Sequence, residues 1–243
     1  FFSISFLFQI KEASADISTG LVSHYKLDET SGTVANDSSG TNTGTVANGA
    51  TWTTGKIGNA LSFDGVDDYV DFNTNLGITG EMTVSAWVNT TQAPTGIGRI
   101  AATTYNYNGG TSNQRGWTLG NNYGSSDVFG FRIYDSSGNL GSAQKSNFFS
   151  DNLNKWNHVV GVYKPSTYLK LFVNGSLVDE DTTSVPAGIG YKLGSNLRIG
   201  ARADLATQGL WKGRIDDVRV YNRALSSTDI AELYSTSKPT VTT

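Results

Sequence analysis

Short runs in which apolar and β-branched residues alternate with polar ones recur along this chain, separated by turns rich in Gly, Asn and Asp. Leu21 to Leu27 alternates Leu21, Ser23, Tyr25 and Leu27 against Val22, His24 and Lys26. Thr43–Ala47, Ala60–Phe63, Tyr69–Phe72, Met82–Asn89, Gly98–Thr104 and Val128–Tyr134 read as further strands. In the last of these, Phe129, Phe131 and Ile133 fall on one side and Arg132 and Tyr134 on the other, which predicts that the latter two face outward. Trp156–Tyr163 and Tyr168–Val173 form a hairpin through Pro165, and Val173-Asn174-Gly175-Ser176 is a tight turn into Leu177-Val178. Leu197–Ala201 and Leu210–Tyr221 complete the set, while 105–124 reads as an Asn/Gly-rich excursion around Trp117. Many short strands at even spacing, with no internal repeat, predict an all-β sandwich or barrel.

The segment Ile215–Tyr221 carries a more specific expectation. By period two, Val218 and Val220 point one way and Asp216 points with them, toward a core that a lone carboxylate enters only at a cost. A short helix follows, with Ser226 as N-cap, Asp229 completing a capping box, and Ile230, Leu233 and Tyr234 on one face.

Composition narrows the chemistry. At 243 residues the chain is long enough for one large all-β domain whose core needs no covalent staple. With 0 Cys, thiol nucleophiles, disulfides and Cys-ligated zinc are excluded, and 2 His leave little for histidine metal clusters or triads. A net charge of −3 with no basic stripe argues against nucleic acid as a partner. The opening FFSISFLFQI is apolar but shorter than the ~20 residues a membrane span needs. Ala13-Ser14-Ala15 behind it resembles a signal-peptidase site, so residues 1–15 read as the remnant of a signal peptide, 16–235 as one domain, and 236–243 as a tail or the start of a linker. That organisation implies a secreted or cell-surface protein with no membrane span, with other domains of a larger secreted protein as expected partners.

The stretch GLWKGRIDDVRVYNRALSSTDIAELY (209–234) resembles the end of LamG-like jelly-roll domains of the concanavalin A-like lectin/glucanase superfamily. HYKLDETSG (24–32), NDSSG (36–40), GKIGNALSFDGVDDYVDF (55–72), MTVSAWV (82–88), KWNHVVGVY (155–163), LKLFVNGSLV (169–178) and LRIGA (197–201) continue the resemblance in order. It implies a two-sheet antiparallel jelly-roll β-sandwich with a short C-terminal helix. Many relatives hold a structural Ca²⁺, an ion that takes six to eight oxygen ligands. Carried over, the ligands are Asp216, the turn Gly58-Asn59 and Asp28; the alternative is that Asp216 accepts backbone hydrogen bonds and pairs with Arg214 or Arg219.

Catalytic signatures of the fold are missing. The E-x-D-x-x-E strand of the related β-glucanases and the Q-[IV]-H of jelly-roll alginate lyases do not occur, and His158 in WNHVV reads as a packed histidine. Trp87 and Trp156 read as core. Tyr105, Trp117, Arg132, Tyr134 and Trp211 are the candidates for a carbohydrate groove: aromatic planes stack on sugar C–H faces, and guanidinium groups bind hydroxyls or uronates. The expected function is a non-catalytic, lectin-like module for a polysaccharide or glycan. A protein-binding adhesion or spacer domain is the alternative, and an enzyme with an unrecognised site the third.

Overall fold

The computed structural model describes residues 16–92, 98–106, 114–121, 127–204 and 209–236. Residues 1–15 and 237–243, including the expected cleavage region and most of the tail, lie outside the described residues. In chain order the first strands are β1 (Leu21–Tyr25), β2 (Val34–Ala35), β3 (Gly44–Ala47), β4 (Thr51–Thr54), β5 (Asn59–Asp64) and β6 (Tyr69–Asp71). Then come β7 (Met82–Asn89), β8 (Arg99–Ala102), β9 (Tyr105–Asn106), β10 (Gln114–Asn121), β11 (Val128–Tyr134) and β12 (Leu140–Ser146). Helix α1 (Phe148–Asn152) precedes β13 (Asn157–Lys164), β14 (Tyr168–Val173), β15 (Ser176–Asp181), β16 (Arg198–Ile199), β17 (Lys212–Tyr221) and helix α2 (Ser227–Thr236).

The strands form two antiparallel sheets. The first runs β15-β14-β13-β7-β17-β5-β4, with β1 also paired to β17; the second runs β12-β11-β10-β8-β16-β6-β3-β2, with β9 on β10. The core lies between them. From the second sheet it takes Trp117, Leu119, Phe129, Phe131 and Ile133; from the first it takes Val84, Ala86, Val88, Val159, Leu171, Ile215, Val218 and Val220. The sheets approach closely where β13 meets β11: a Cβ on Gly161 would lie 2.3 Å from Phe131 Cγ, so only glycine lets the phenyl ring seat there.

The outer face of the first sheet is covered too, which is why every residue of β7 is buried. Val160, Val162, Phe172 and Tyr221 form a smaller cluster with Leu225, which precedes α2, and with Ile230 and Leu233 of α2. The expected capping box is present, with Asp229 N donating to Ser226 Oγ at 3.1 Å and Ser226 N to Asp229 Oδ2 at 3.0 Å. Tyr234 brings α2 onto Trp87, with ring centroids 5.7 Å apart.

Besides the short strands β2, β4 and β9, three elements were not expected. β10 lies inside the stretch read as an excursion, because its glycines mask the alternation of Trp117 and Leu119 against Thr118. β12 holds one core residue, Ala143, so its hydrophobic period is too faint to see. α1 is a single short turn of helix that seats Phe148 and Phe149 against Phe129.

Candidate functional site

The main departure from the period-two reading is in β17. Lys212–Ile215 pairs with β5 and Val218–Tyr221 with β1, and the register against β7 shifts between Asp216 and Arg219. Asp217 sits in this bulge with φ 49°. The extra residue reverses the phase, so Ile215, Val218 and Val220 all face the core and Asp216 does not share their side. It lies on the outer face of the sheet, opposite Trp87, at the gap where β5 gives way to β1.

The loop between β4 and β5 fills that gap. Asp216 Oδ2 accepts the backbone N–H groups of Lys56 at 2.7 Å and Ile57 at 2.9 Å. Asp216 Oδ1 is buried and has no hydrogen-bond partner. Burial pushes the carboxyl up to about 7; the two backbone bonds oppose this, and the Asp217 and Asp28 charges add to it. Asp28 is close by: its Oδ1 accepts from Asn59 N at 2.8 Å, and Asn59 Nδ2 donates to the Asp28 carbonyl at 3.0 Å. Gly58 has φ 60°, and a Cβ there would lie 2.2 Å from Asp28 Oδ1, so the loop and the aspartate fit only as glycine and carboxylate. Asp28, Gly58, Asn59 and Asp216 therefore come together, as the resemblance implied.

Asp28 and Asp216 border a cavity of about 340 Å³ that Ile17, His24, Lys26, Ile57, Asp217, Arg219 and Thr236 also line. Asp217 belongs to the wall of this cavity. It is buried, with Oδ1 2.6 Å from His24 Nε2 and 3.1 Å from Arg219 Nη2. Burial alone would raise it, but those two partners more than offset burial and hold it low. Asp216 itself pairs with neither Arg214 nor Arg219. The residues fit a hard cation: Asp216 Oδ1 is a buried acceptor without a donor, and the charge of a second carboxylate, Asp28, acts on it.

The aromatic candidates are placed differently. Trp117 and Trp211 are 0% exposed and belong to the main core, so neither offers a plane to a sugar. Both fell on stretches whose polar, Gly-rich neighbours concealed their inward phase. Arg132 and Tyr134 do lie opposite Phe129, Phe131 and Ile133, but they are enclosed, at 2% and 8% exposed, so the expected open groove is not present at these side chains. Tyr105 begins β9, and its side chain lies outside the described residues. His158 is buried beside Trp87, and burial pulls it down to about 4, so it is neutral near pH 7.

The face that Arg132 occupies holds groups not singled out in the sequence. Register places Arg132 beside Thr118 of β10, and on the other side of β10 strand β8 sets Ala102 opposite Thr118 and Arg99 opposite Gly120. Arg99 Nη1 and Arg132 Nη1 both donate to the Asn121 carbonyl, the latter at 3.4 Å. Arg99 Nε, Arg132 Nη2 and Thr118 Oγ1 are buried without partners. No described carboxylate forms an ion pair with either arginine. Burial, then the Arg132 charge, pull Arg99 down to about 9. An arginine pair on a strand's polar phase was legible only for Arg132; Arg99 joins it through strand pairing.

A laminin G family model, described as the concanavalin A-like lectin/glucanases superfamily, matches residues 64–231. The chain belongs to this superfamily. A comparison with the curated proteins finds no match. Among solved structures, the fold is similar to the binding domain of Paraclostridial Mosquitocidal Protein 1, at 16% identity and TM-score 0.68, over 91% of this chain and 53% of that one. It is similar also to the receptor binding domain of botulinum neurotoxin mosaic serotype C/D, at 17% identity and TM-score 0.67, over 91% and 52%. The chain thus spans about half the length of these two binding domains. Domain 4 of AbnA, an extracellular arabinanase from Geobacillus stearothermophilus solved in complex with arabinotriose, matches at 20% identity and TM-score 0.62, over 88% of this chain and 98% of that one. Within the superfamily fold, the bulge of β17 and the loop 55–58 build the acidic pocket, and β8, β10 and β11 build the arginine face.

Among the described residues, no helix is long and apolar enough to cross a membrane.

Proposed function

We propose that this chain is a non-catalytic, extracellular glycan-binding module with a structural calcium. The observation that carries the reading is the outer face of the second sheet. There Arg99, Arg132 and Thr118 hold hydrogen-bonding groups without partners, and such groups suit sugar hydroxyls or a sugar carboxylate. Their enclosure makes the contact recessed: few groups, shielded from water, in place of an open aromatic platform. The arabinanase domain solved with arabinotriose supports it, because that domain matches this chain over nearly its whole length.

Calcium would be held by Asp216 Oδ1 and Asp28, with the carbonyls of the Gly58-Asn59 turn in reach. When bound it would neutralise a carboxylate that the fold keeps buried, and fix the loop 55–58 against β17. The backbone bonds to Lys56 and Ile57 already orient Asp216 for that role.

Affinity electrophoresis against arabinan, glucan and uronate-containing polymers tests the glycan reading. At least one polymer should retard the protein, with Arg132→Met reducing retardation while circular dichroism stays native. Retardation by none of them would replace this reading with the adhesion or spacer alternative.

A further inference from the structure

Three carboxylates crowd the turn that joins β5 of the first sheet to β6 of the second. Asp64, Asp67 and Asp68 each bring one oxygen within 4.8 Å of the others. Their local bonds leave capacity in hand. Asp64 Oδ1 accepts from Val66 N at 2.7 Å, and Asp68 Oδ2 accepts from Asp64 N at 2.8 Å. Asp68 Oδ1 has no partner, although Asp68 is only 3% exposed. A buried carboxylate oxygen without a donor is rare and costs on the order of 1–3 kcal/mol or more.

No cation relieves the cluster. None of the three acids forms an ion pair with a described residue. Lys212, the cross-strand partner of Asp64, directs its ammonium to Gln92 Oε1 at 3.2 Å instead.

We propose that Asp64, Asp67 and Asp68 form a second calcium site, separate from Asp216 and independent of glycan binding. Oxygen-only ligands of full negative charge select a hard divalent cation. Ca²⁺ binds at ~2.3–2.6 Å in flexible geometry, so two of its ligands can stand up to about 5 Å apart, whereas Mg²⁺, at ~2.0–2.1 Å, demands a near-ideal octahedron and keeps its waters. The connection from β3 to β4 already docks here: Asn48 Nδ2 donates to the Asp67 carbonyl at 3.1 Å, and Gly49 lies against Asp68 Oδ1, from which a Cβ would stand 3.4 Å away. The ion would clamp two sheet-to-sheet crossings at one edge of the sandwich. Asp67 and Asp64 are exposed, so the site is in reach of solvent ions.

Terbium luminescence, excited through Tyr69 beside Asp68, tests this on the full chain made as Asp216→Asn, which removes the other carboxylate pocket. That protein should bind one Tb³⁺, displaced by Ca²⁺. Asp67→Asn in the same background should weaken binding by at least about tenfold, since affinity follows the count of charged ligands. Asp67 is the informative change because no described hydrogen bond of its side chain supports the fold. Asp68→Asn should abolish the signal where it folds. An Asp216→Asn protein that binds no terbium, or equal affinity with and without Asp67→Asn, overturns the proposal.

Discussion

Replacing Asp216 by Asn should have opposite effects with and without calcium, and the sign follows from the geometry. Asn keeps an oxygen for the Lys56 and Ile57 N–H groups but removes the charge. In the native fold the carboxyl is raised from 3.8 to about 7, chiefly by burial. Between those two values the folded state binds more protons than the unfolded state. Stability therefore falls as pH rises through that window and is level above it. At ~1.4 kcal/mol per pKa unit, the ionised, metal-free carboxylate costs up to about 4 kcal/mol, and relaxation leaves on the order of 2. At pH 8 in chelator, Asp216→Asn should melt about 4–8 °C above the native sequence, for a chain of this size. At pH 4 the difference should nearly vanish. With calcium at a hundredfold excess over its Kd for this site, the native sequence should gain ~2.7 kcal/mol beyond whatever gain the variant shows, since the variant keeps only the Asp64–Asp67–Asp68 cluster. Calorimetric melts across pH, with calcium or chelator, read all four conditions. An Asp216→Asn protein that is less stable than native at pH 8 in chelator would show a satisfied acceptor and refute the reasoning.

Trp117→Ala should destabilise the fold by about 3–5 kcal/mol in denaturant titration, because it empties a fully buried indole site; an unchanged midpoint would mean the ring is not core. Ser226→Ala should cost ~1 kcal/mol by loss of the bond from Asp229 N, and helix α2 should lose amide protection first in hydrogen exchange. Uniform protection across α2 in that variant would assign the stabilisation to Ile230 and Leu233 alone.

Much of this fold was legible because burial alternates along a strand. Val128–Tyr134 forms β11 with the expected bounds, and β7 and the β13–β14 hairpin follow from the same period. The helix α2 was legible from a local device, a side chain and a backbone N–H three residues apart. The carboxylate neighbourhood was legible through family resemblance, as Asp28, Gly58, Asn59 and Asp216 are distant in the chain and meet only in the fold.

Other features depend on contacts that no local pattern encodes. A period of two says which residues share a face, not whether that face is covered. Arg132 and Tyr134 take the predicted side of β11 and are still enclosed, while Trp117 and Trp211 turn out to be interior. A bulge adds one residue and inverts every later phase, and here it exists because β17 pairs with β5 along one half and β1 along the other. That split moved Asp216 from the expected core side to the outer face. It also left the gap into which Lys56 and Ile57 bring their N–H groups. The approach of Arg99 and Arg132 across β10 arises the same way, from strands that tertiary structure alone aligns.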